Sequence, residues 1–417
     1  MKQIQIFVLC VFLFSFDGFS QQQYLEKHKY MFGAIPVLSY DADLGLKYGA
    51  VLNFFDFKPH DTDYSQYLVL RGTYTTRNTL NIQGIFESDR LIKNATTFIE
   101  AAYTNDQKLG FYGFNGFESN YNPLLIQPKS QFFLNKNFYS LNRKLLRFRF
   151  DVQKNIVAQW RVLSGLTFNR YFIGSNTEGQ PTLYDYYQQW GIVSENEASG
   201  GSLFNATLGL VYDSRNNKAN CKSGQWFEGF LVYAPALLKQ TGFSKLVLTY
   251  RNYFSFFNDD LTLLFRVSSQ TKLSGEIPHY MLPLYFDTQE SQNDFGGAYT
   301  LRGIARNRIV ANGYLLGNFE SRFNIAHFKL LLDFQITGTL FCDLAYITQA
   351  YHFSMSTVSS AVQNAFFNNP KQSLYAGFGP GINIIYNQNN IITVNYGFNT
   401  NSQLGSGGLY VGSRFLF

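Results

Sequence analysis

The chain has 417 residues and a formal net charge of +6, with 46% hydrophobic but only 15% charged side chains. That charge gives no footing for nucleic-acid binding; it fits a basic lumen, contact with acidic lipid headgroups, or scattered surface charge. Beyond the N-terminal stretch there is no apolar run of about 20 residues, so no transmembrane helix is expected. Aromatic residues make up 18%, chiefly 43 Phe and 29 Tyr, an excess that suits β-strands and the aromatic girdles of a membrane barrel.

Residues 1–20 read as a secretory signal peptide, with Lys2 as the positive start, Ile4 to Phe16 as the apolar run, and small Gly18 and Ser20 before Gln21. Gln21 to Phe32 is mostly polar and reads as a short periplasmic lead. The region 33–417 then reads as one barrel. Gly33 to Tyr40 and Leu44 to Phe57 are strands joined by a tight turn at Asp41-Ala42-Asp43. Tyr67 to Thr76, Leu80 to Glu87 and Ala95 to Tyr103 follow, and a longer loop spans about Thr104 to Gln131. Two runs compete within Phe132 to Val152. Reading them as one long strand puts every later long loop on the same side and keeps the strand number even, as bacterial barrels require.

Trp160 to Tyr171, Phe204 to Tyr212, Gln225 to Tyr233, Phe243 to Phe256 and Leu261 to Thr271 continue the series. The clearest strand is predicted over Lys329 to Tyr346. Leu330, Leu332, Phe334, Ile336, Leu340, Cys342, Leu344 and Tyr346 share one face, and Asp333, Gln335, Thr337, Thr339 and Asp343 the other. A period of two over that length suits lipid on one side and water on the other. Leu374 to Tyr386, Ile391 to Phe398 and Leu409 to Phe417 complete an antiparallel all-β barrel of about sixteen strands. Cys221 and Cys342 could pair; because Cys342 lies on an apolar strand face and Cys221 in a connection, two free thiols are expected.

One stretch stands apart: Asp294-Phe295-Gly296-Gly297-Ala298-Tyr299-Thr300-Leu301-Arg302-Gly303-Ile304, at the tip of a loop running from about Lys272 to Ala311. The following strand, Tyr314 to Ile325, puts Leu315, Phe319, Phe323 and Ile325 on one face. Asn318, Glu320, Arg322 and Asn324 fall on the other, with Leu316 as the exception. An arginine on a loop beside inward carboxylates suggests a loop tucked into a barrel, where its charge has a partner.

Gly296-Gly297-x-x-x-Leu301-Arg302-Gly303, followed by Glu320-x-Arg322-Phe323, resembles the bacterial surface antigen family of BamA and TamA. Asp213-Ser214-Arg215-Asn216-Asn217 and Lys222-Ser223-Gly224 resemble a connection of that family, with Cys221 where it has proline; Ile304 stands where its loop tip has an aromatic. The resemblance implies an outer-membrane barrel whose sixth extracellular loop folds into the lumen, with Leu301, Arg302 and Gly303 at the tip and Glu320 and Asp343 as ion-pair partners of Arg302. Phe415 and Phe417, alternating with Val411 and Leu409, resemble the C-terminal signal read by the barrel assembly machinery. The lead is too short for the periplasmic POTRA domains of the best-known members, so a barrel-only member is expected.

No nucleophile elbow, phosphate loop or metal-ligand spacing occurs, and His28, His60, His279, His327 and His352 have no recognisable catalytic setting. No catalytic residue, cofactor or metal is expected. The resemblance implies assembly or translocation of outer-membrane or surface proteins. The expected partners are outer-membrane lipid, the barrel assembly machinery during biogenesis, and a periplasmic or surface protein. The alternative is a passive pore or structural surface antigen with an internal loop plug. In Gly407, Gly408 and Gly412 the last strand carries residues that weaken its pairing, which favours a seam that opens.

Overall fold

The computed structural model describes residues 30–57, 64–175, 180–237, 241–289, 293–329, 332–368, 373–386 and 390–417. The predicted signal peptide and most of the predicted lead lie outside them. Sixteen strands close into one antiparallel barrel. We number them β1 (Tyr30–Asp41), β2 (Gly45–Phe57), β3 (Tyr64–Thr75), β4 (Thr79–Ser88), β5 (Ala95–Gly110), β6 (Ser140–Val157), β7 (Trp160–Ser175) and β8 (Ser202–Asp213). The second half comprises β9 (Gly224–Ala234), β10 (Phe243–Phe256), β11 (Leu261–Gly275), β12 (Gly313–Lys329), β13 (Asp333–Gln349), β14 (Tyr375–Tyr386), β15 (Asn390–Asn399) and β16 (Gly408–Gly412). Each strand pairs with its neighbours in sequence, and β16 returns to β1.

Alternation is what makes these segments strands. On β12, Leu315, Phe319, Phe323 and Ile325 are exposed on the outer face, while Asn318, Glu320 and Arg322 are buried inward. An apolar outer face and a polar inner one suit a wall between lipid and lumen. Leu316 breaks the pattern for a reason: it is buried in an apolar cluster with Tyr285, Phe295, Leu301 and Ile304 of the long loop. The inner face is filled, because Arg147, Arg149, Glu100, Glu228 and Arg266 are all buried.

β6 is one strand, so the parity argument gave the right count, but its ends differ from the expectation. β5 continues past Tyr103 to Gly110 through a register shift between Asp106 and Leu109, and β6 starts only at Ser140. The long loop therefore covers 111–139. The barrel begins at Tyr30, so the last residues of the expected lead are already paired with β2. Lys329 ends β12 and Asp333 opens β13, so Lys329 belongs to the preceding strand; Leu330, which the prediction put on the apolar face, lies outside the described residues. Cys221 and Cys342 are free thiols.

Loops 111–139, 180–201, 276–312 and 350–368 lie at one end of the barrel, the outward end in bacterial barrels, where long loops collect. They pack into an aromatic cap: Phe114 and Phe138 meet Tyr184 and Tyr187, Tyr280 and Met281, and Val358 and Phe367.

The expected extent of the last strand, Leu409 to Phe417, needs correction. β16 stops at Gly412, and the next residues leave the wall. Phe415 is buried against Ile385 and Ile391, and Phe417 packs on Cys221, Tyr253 and Leu264. The guanidinium of Arg322 lies 3.4 Å from the Phe415 ring centroid and that of Arg266 5.2 Å from Phe417. Alternation alone would place both rings in lipid. Inward arginines offering their faces give the rings another partner, and glycine at 412 lacks a side chain to hold the pleat.

Candidate functional site

The loop of residues 276–312 carries the site. Its tip is shaped by three glycines with positive φ: Gly296 (97°), Gly297 (69°) and Gly303 (87°). These are conformations that side-chain-bearing residues rarely adopt. The turn is closed by Gly297 N–H donating to the Ile304 carbonyl at 2.9 Å. Thr300 Oγ1 accepts from Gly296 N–H at 2.6 Å and donates to the Gly296 carbonyl at 3.0 Å. Leu301 and Ile304 are fully buried. Ile304 thus fills an apolar site in a cluster that already holds Tyr285, Phe295 and Tyr314.

Arg302 points to the inner faces of β12 and β13. Its Nε and Nη2 donate to Asp343 Oδ2 and Oδ1 at 2.9 and 3.1 Å, and its own backbone N–H donates to Oδ2 at 2.9 Å. Nη1 donates to Glu320 Oε2 at 2.9 Å, while Arg322 Nε donates to Glu320 Oε1 at 2.6 Å. Arg302 also stacks on Phe341, 3.6 Å from the ring centroid. Exposure is 2% for Arg302, 5% for Glu320 and 0% for Asp343. Burial disfavours the guanidinium charge; Asp343 and then Glu320 more than offset this and hold its pKa above the ordinary range. Such a desolvated, bidentate arrangement fixes position more surely than it adds net stability.

Close approach of the backbone completes the contact. Gly303 N–H donates to the Tyr410 hydroxyl at 3.1 Å, and Asn399 Nδ2 donates to the Gly303 carbonyl at 2.6 Å. A side chain at Gly377 on β14 would strike the Arg302 carbonyl, so glycine is required at that point of the wall.

Two further anchors were missed from the sequence. Asp294 lies 3.0 Å from Arg143 Nη2 and 2.8 Å from Arg306 Nη2, and Arg143 also holds Asp106 at 2.8 Å. Burial raises the pKa of Asp294, but Arg143 and Arg306 pull it well below the ordinary carboxylate range. On β9, Glu228 accepts from Thr288 N–H at 3.0 Å, from the Thr288 hydroxyl, and from Arg251 Nη1 at 2.6 Å. Burial, then Glu228, raises the carboxyl of Asp287 to about 6. The signal available was parity: Arg143, Arg147, Arg149 and Asp151 all fall on one face of β6.

Asp43 in the β1–β2 turn also meets the loop, where an added Cβ at Gly297 would lie 2.8 Å from its Oδ2. Its surroundings are Asp41 on its own hairpin, Arg306, Arg77, and the phenols of Tyr112 and Tyr410. Burial first, then Asp41, raises its carboxyl from 3.8 to about 7. An acid raised on folding favours the folded state most when protonated. Its contribution is fully present below the unfolded value of 3.8 and is lost as pH rises through about 7. Asp43→Asn is expected to match the native protein near pH 4 and to unfold at progressively higher temperature than it towards pH 8. The midpoint of the heat-induced gel shift, measured across that range for both proteins, checks this; parallel curves contradict it.

The wall closes at β1 and β16, and this is its weakest joint. β1 pairs with β2 residue by residue from Tyr30↔Asp56 to Asp41↔Gly45. With β16 it shares only Tyr40↔Val411 and Asp41↔Tyr410. Among the described residues no strand pairs with the edge of β1 from Met31 to Ser39 on that side, and Phe32 and Ile35 are 67% and 55% exposed. Among the described residues no group of His, Cys, Asp and Glu is arranged to hold a metal ion.

A closed sixteen-stranded antiparallel barrel is the fold of a bacterial outer-membrane protein. The Omp85 superfamily domain matches residues 113–412, and the chain belongs to that superfamily. In fold it is similar to BamA from Haemophilus ducreyi lacking POTRA domains 1-3 (TM-score 0.58, 12% identity, covering 93% of this chain and 71% of that one). It is also similar to CdiB from Escherichia coli (TM-score 0.57, 9% identity, 93% of this chain and 63% of that one). CdiB from Acinetobacter baumannii aligns over 92% of this chain and 59% of its own, with TM-score 0.50 and 10% identity. The chain thus spans less than two thirds of either CdiB structure. Among curated proteins no sequence matches.

Proposed function

We propose that this barrel assembles or translocates outer-membrane or surface proteins by admitting a client strand at the β1–β16 seam. The observation that carries the reading is the contrast between the fully paired β1–β2 ladder and the two residue pairs that join β1 to β16. An unpaired strand edge is a template for another strand, and main-chain hydrogen bonds supply affinity with little demand on client sequence. Membership of the Omp85 superfamily supports the same reading.

The loop of residues 276–312 is common to this reading and to the alternative, a passive pore or structural surface antigen with an internal loop plug, so the seam and not the loop separates the two. Arg143 and Asp106 hold it on β5 and β6, Glu228 on β9, and Glu320 and Asp343 on β12 and β13. A periplasmic or surface protein is the proposed partner that delivers clients to the seam.

The test is photo-cross-linking in living cells. A benzophenone amino acid at Val37 or Ser39, on the free edge, is expected to capture outer-membrane or surface proteins in transit. The same probe at Leu163, on an interior strand, should capture none. Equal capture from both positions, or none from the edge, rejects the proposal.

A further inference from the structure

The seam has few hydrogen bonds of its own, yet residues 297–308 of the long loop touch both of its sides. On the β16 side, Gly303 N–H donates to the Tyr410 hydroxyl at 3.1 Å, and Ala305 N–H donates to the Leu404 carbonyl at 2.9 Å. Arg308 Nε donates to the Gln403 carbonyl at 2.5 Å. Leu404 and Gln403 lie in the turn that leads from β15 into β16. On the β1 side, Arg306 faces the carboxyl of Asp43, in the turn that leads out of β1. Gly297 lies beneath the same carboxyl, so close that an added Cβ would sit 2.8 Å from Asp43 Oδ2. The backbone N–H groups of Gly303 and Ala305 thus hold the last strand at one end, while Gly297 and Arg306 meet the first hairpin at the other.

This bridge is itself rigidly placed. Arg302, the residue just before it, is fixed to β12 and β13 by Glu320 and Asp343. Arg306 is fixed by its side chain to Asp294, which Arg143 holds on β6. Arg308 is buried and is bound by three carbonyls, those of Gln403, Gly116 and Ser119, so it joins the bridge to the cap as well. The two strands of the seam are therefore tied to a common support and not only to each other.

We propose that residues 303–308 act as a clasp across the β1–β16 seam, and that Asp43 and Tyr410 are the positioning residues through which the loop sets how readily the seam opens. The proposal rests on the seam reading given above and adds its control element. For β1 and β16 to part, the loop must release either the Asp43 carboxyl or the Tyr410 hydroxyl. Release at one side leaves the other strand on the support, so one strand moves while its partner stays as the template for a client.

Hydrogen exchange of the intact barrel in lipid bilayers tests this, read separately in peptides covering residues 30–41, 408–412 and 140–157. The variants are Tyr410→Phe, which removes the acceptor for Gly303, and Asp43→Ala, which removes the carboxyl that faces Arg306 and Gly297. Arg90→Ala, which cuts an ion pair on the opposite turn, is the control. Each clasp variant is expected to speed exchange in 30–41 and 408–412 about fivefold, the ratio that one hydrogen bond of ordinary net strength sets in an opening equilibrium. Exchange in 140–157 is expected to stay as in the native protein, and the control to change nothing. If native 30–41 exchanges faster than 140–157 but neither variant alters it, the clasp is rejected and the seam survives. Native 30–41 exchanging as slowly as 140–157 rejects seam and clasp together. A uniform rise in every peptide also overturns the clasp, because it marks general destabilisation.

Discussion

Replacing Arg302 by alanine is expected to destabilise the folded barrel by about 3 kcal/mol, the lower end of what removing one member of a buried ion pair costs. The cost falls on Asp343. That carboxylate is fully buried and takes both side-chain donors, Nε and Nη2, from Arg302 alone. Glu320 is less affected, because Arg322 Nε still donates to it at 2.6 Å. The two carboxylates are therefore separable. Asp343→Asn in the Arg302→Ala background should recover part of the loss, since it removes the unpaired charge. Glu320→Gln in the same background should recover little and leaves Arg322 without its partner. Exchanging the charges of Arg302 and Glu320 is expected to recover less than Asp343→Asn, because the new arginine would face Arg322. Urea titration of the detergent-solubilised barrel, with the heat-induced gel shift as a check on folding, gives the numbers. Equal rescue by the two carboxylate changes contradicts the account.

The lipid-facing wall was legible in the sequence because its physics is local. Period two with aromatics on one face needs no knowledge of the partner strand, and β10 was bounded as observed, Phe243–Phe256. Strand parity also put Glu320 and Asp343 on the same side of neighbouring strands, and they lie 2.9 Å from Arg302. Leu316 stood out as a break in that parity. The structure supplies the cause, an apolar cluster contributed by residues from a loop before it in the chain.

What failed was non-local. Phe415 and Phe417 keep the alternation of a strand, yet their surroundings are set by Arg322 and Arg266 on other strands. No window of sequence around residue 415 contains those arginines. Arg143 is similar: inward parity was readable, but its second carboxylate, Asp294, lies on a loop 151 residues further along the chain. The ends of β5 and β6 were misplaced because a register shift extends β5 into a polar stretch that reads as loop.

The central claim is that β1 and β16 must separate for the protein to act, and a covalent lock across them is expected to abolish its activity. Tyr40 and Val411 are directly paired across the seam. Side chains in such pairs are about 4.5–5.5 Å apart at Cβ, within reach of a disulfide after a small adjustment. The lock is Tyr40→Cys with Val411→Cys, with Cys221 and Cys342 changed to serine. Leu38 and Tyr48, paired between β1 and β2, give a matched lock that leaves the seam free. The measurement is quantitative proteomics of the outer membrane in cells relying on each locked barrel, scored on the proteins lost when the native chain is depleted. The account predicts that the oxidised seam lock removes those proteins as completely as depletion does, that reductant restores them, and that the β1–β2 lock has no effect. Wild-type levels of those proteins with the seam fully oxidised would contradict it.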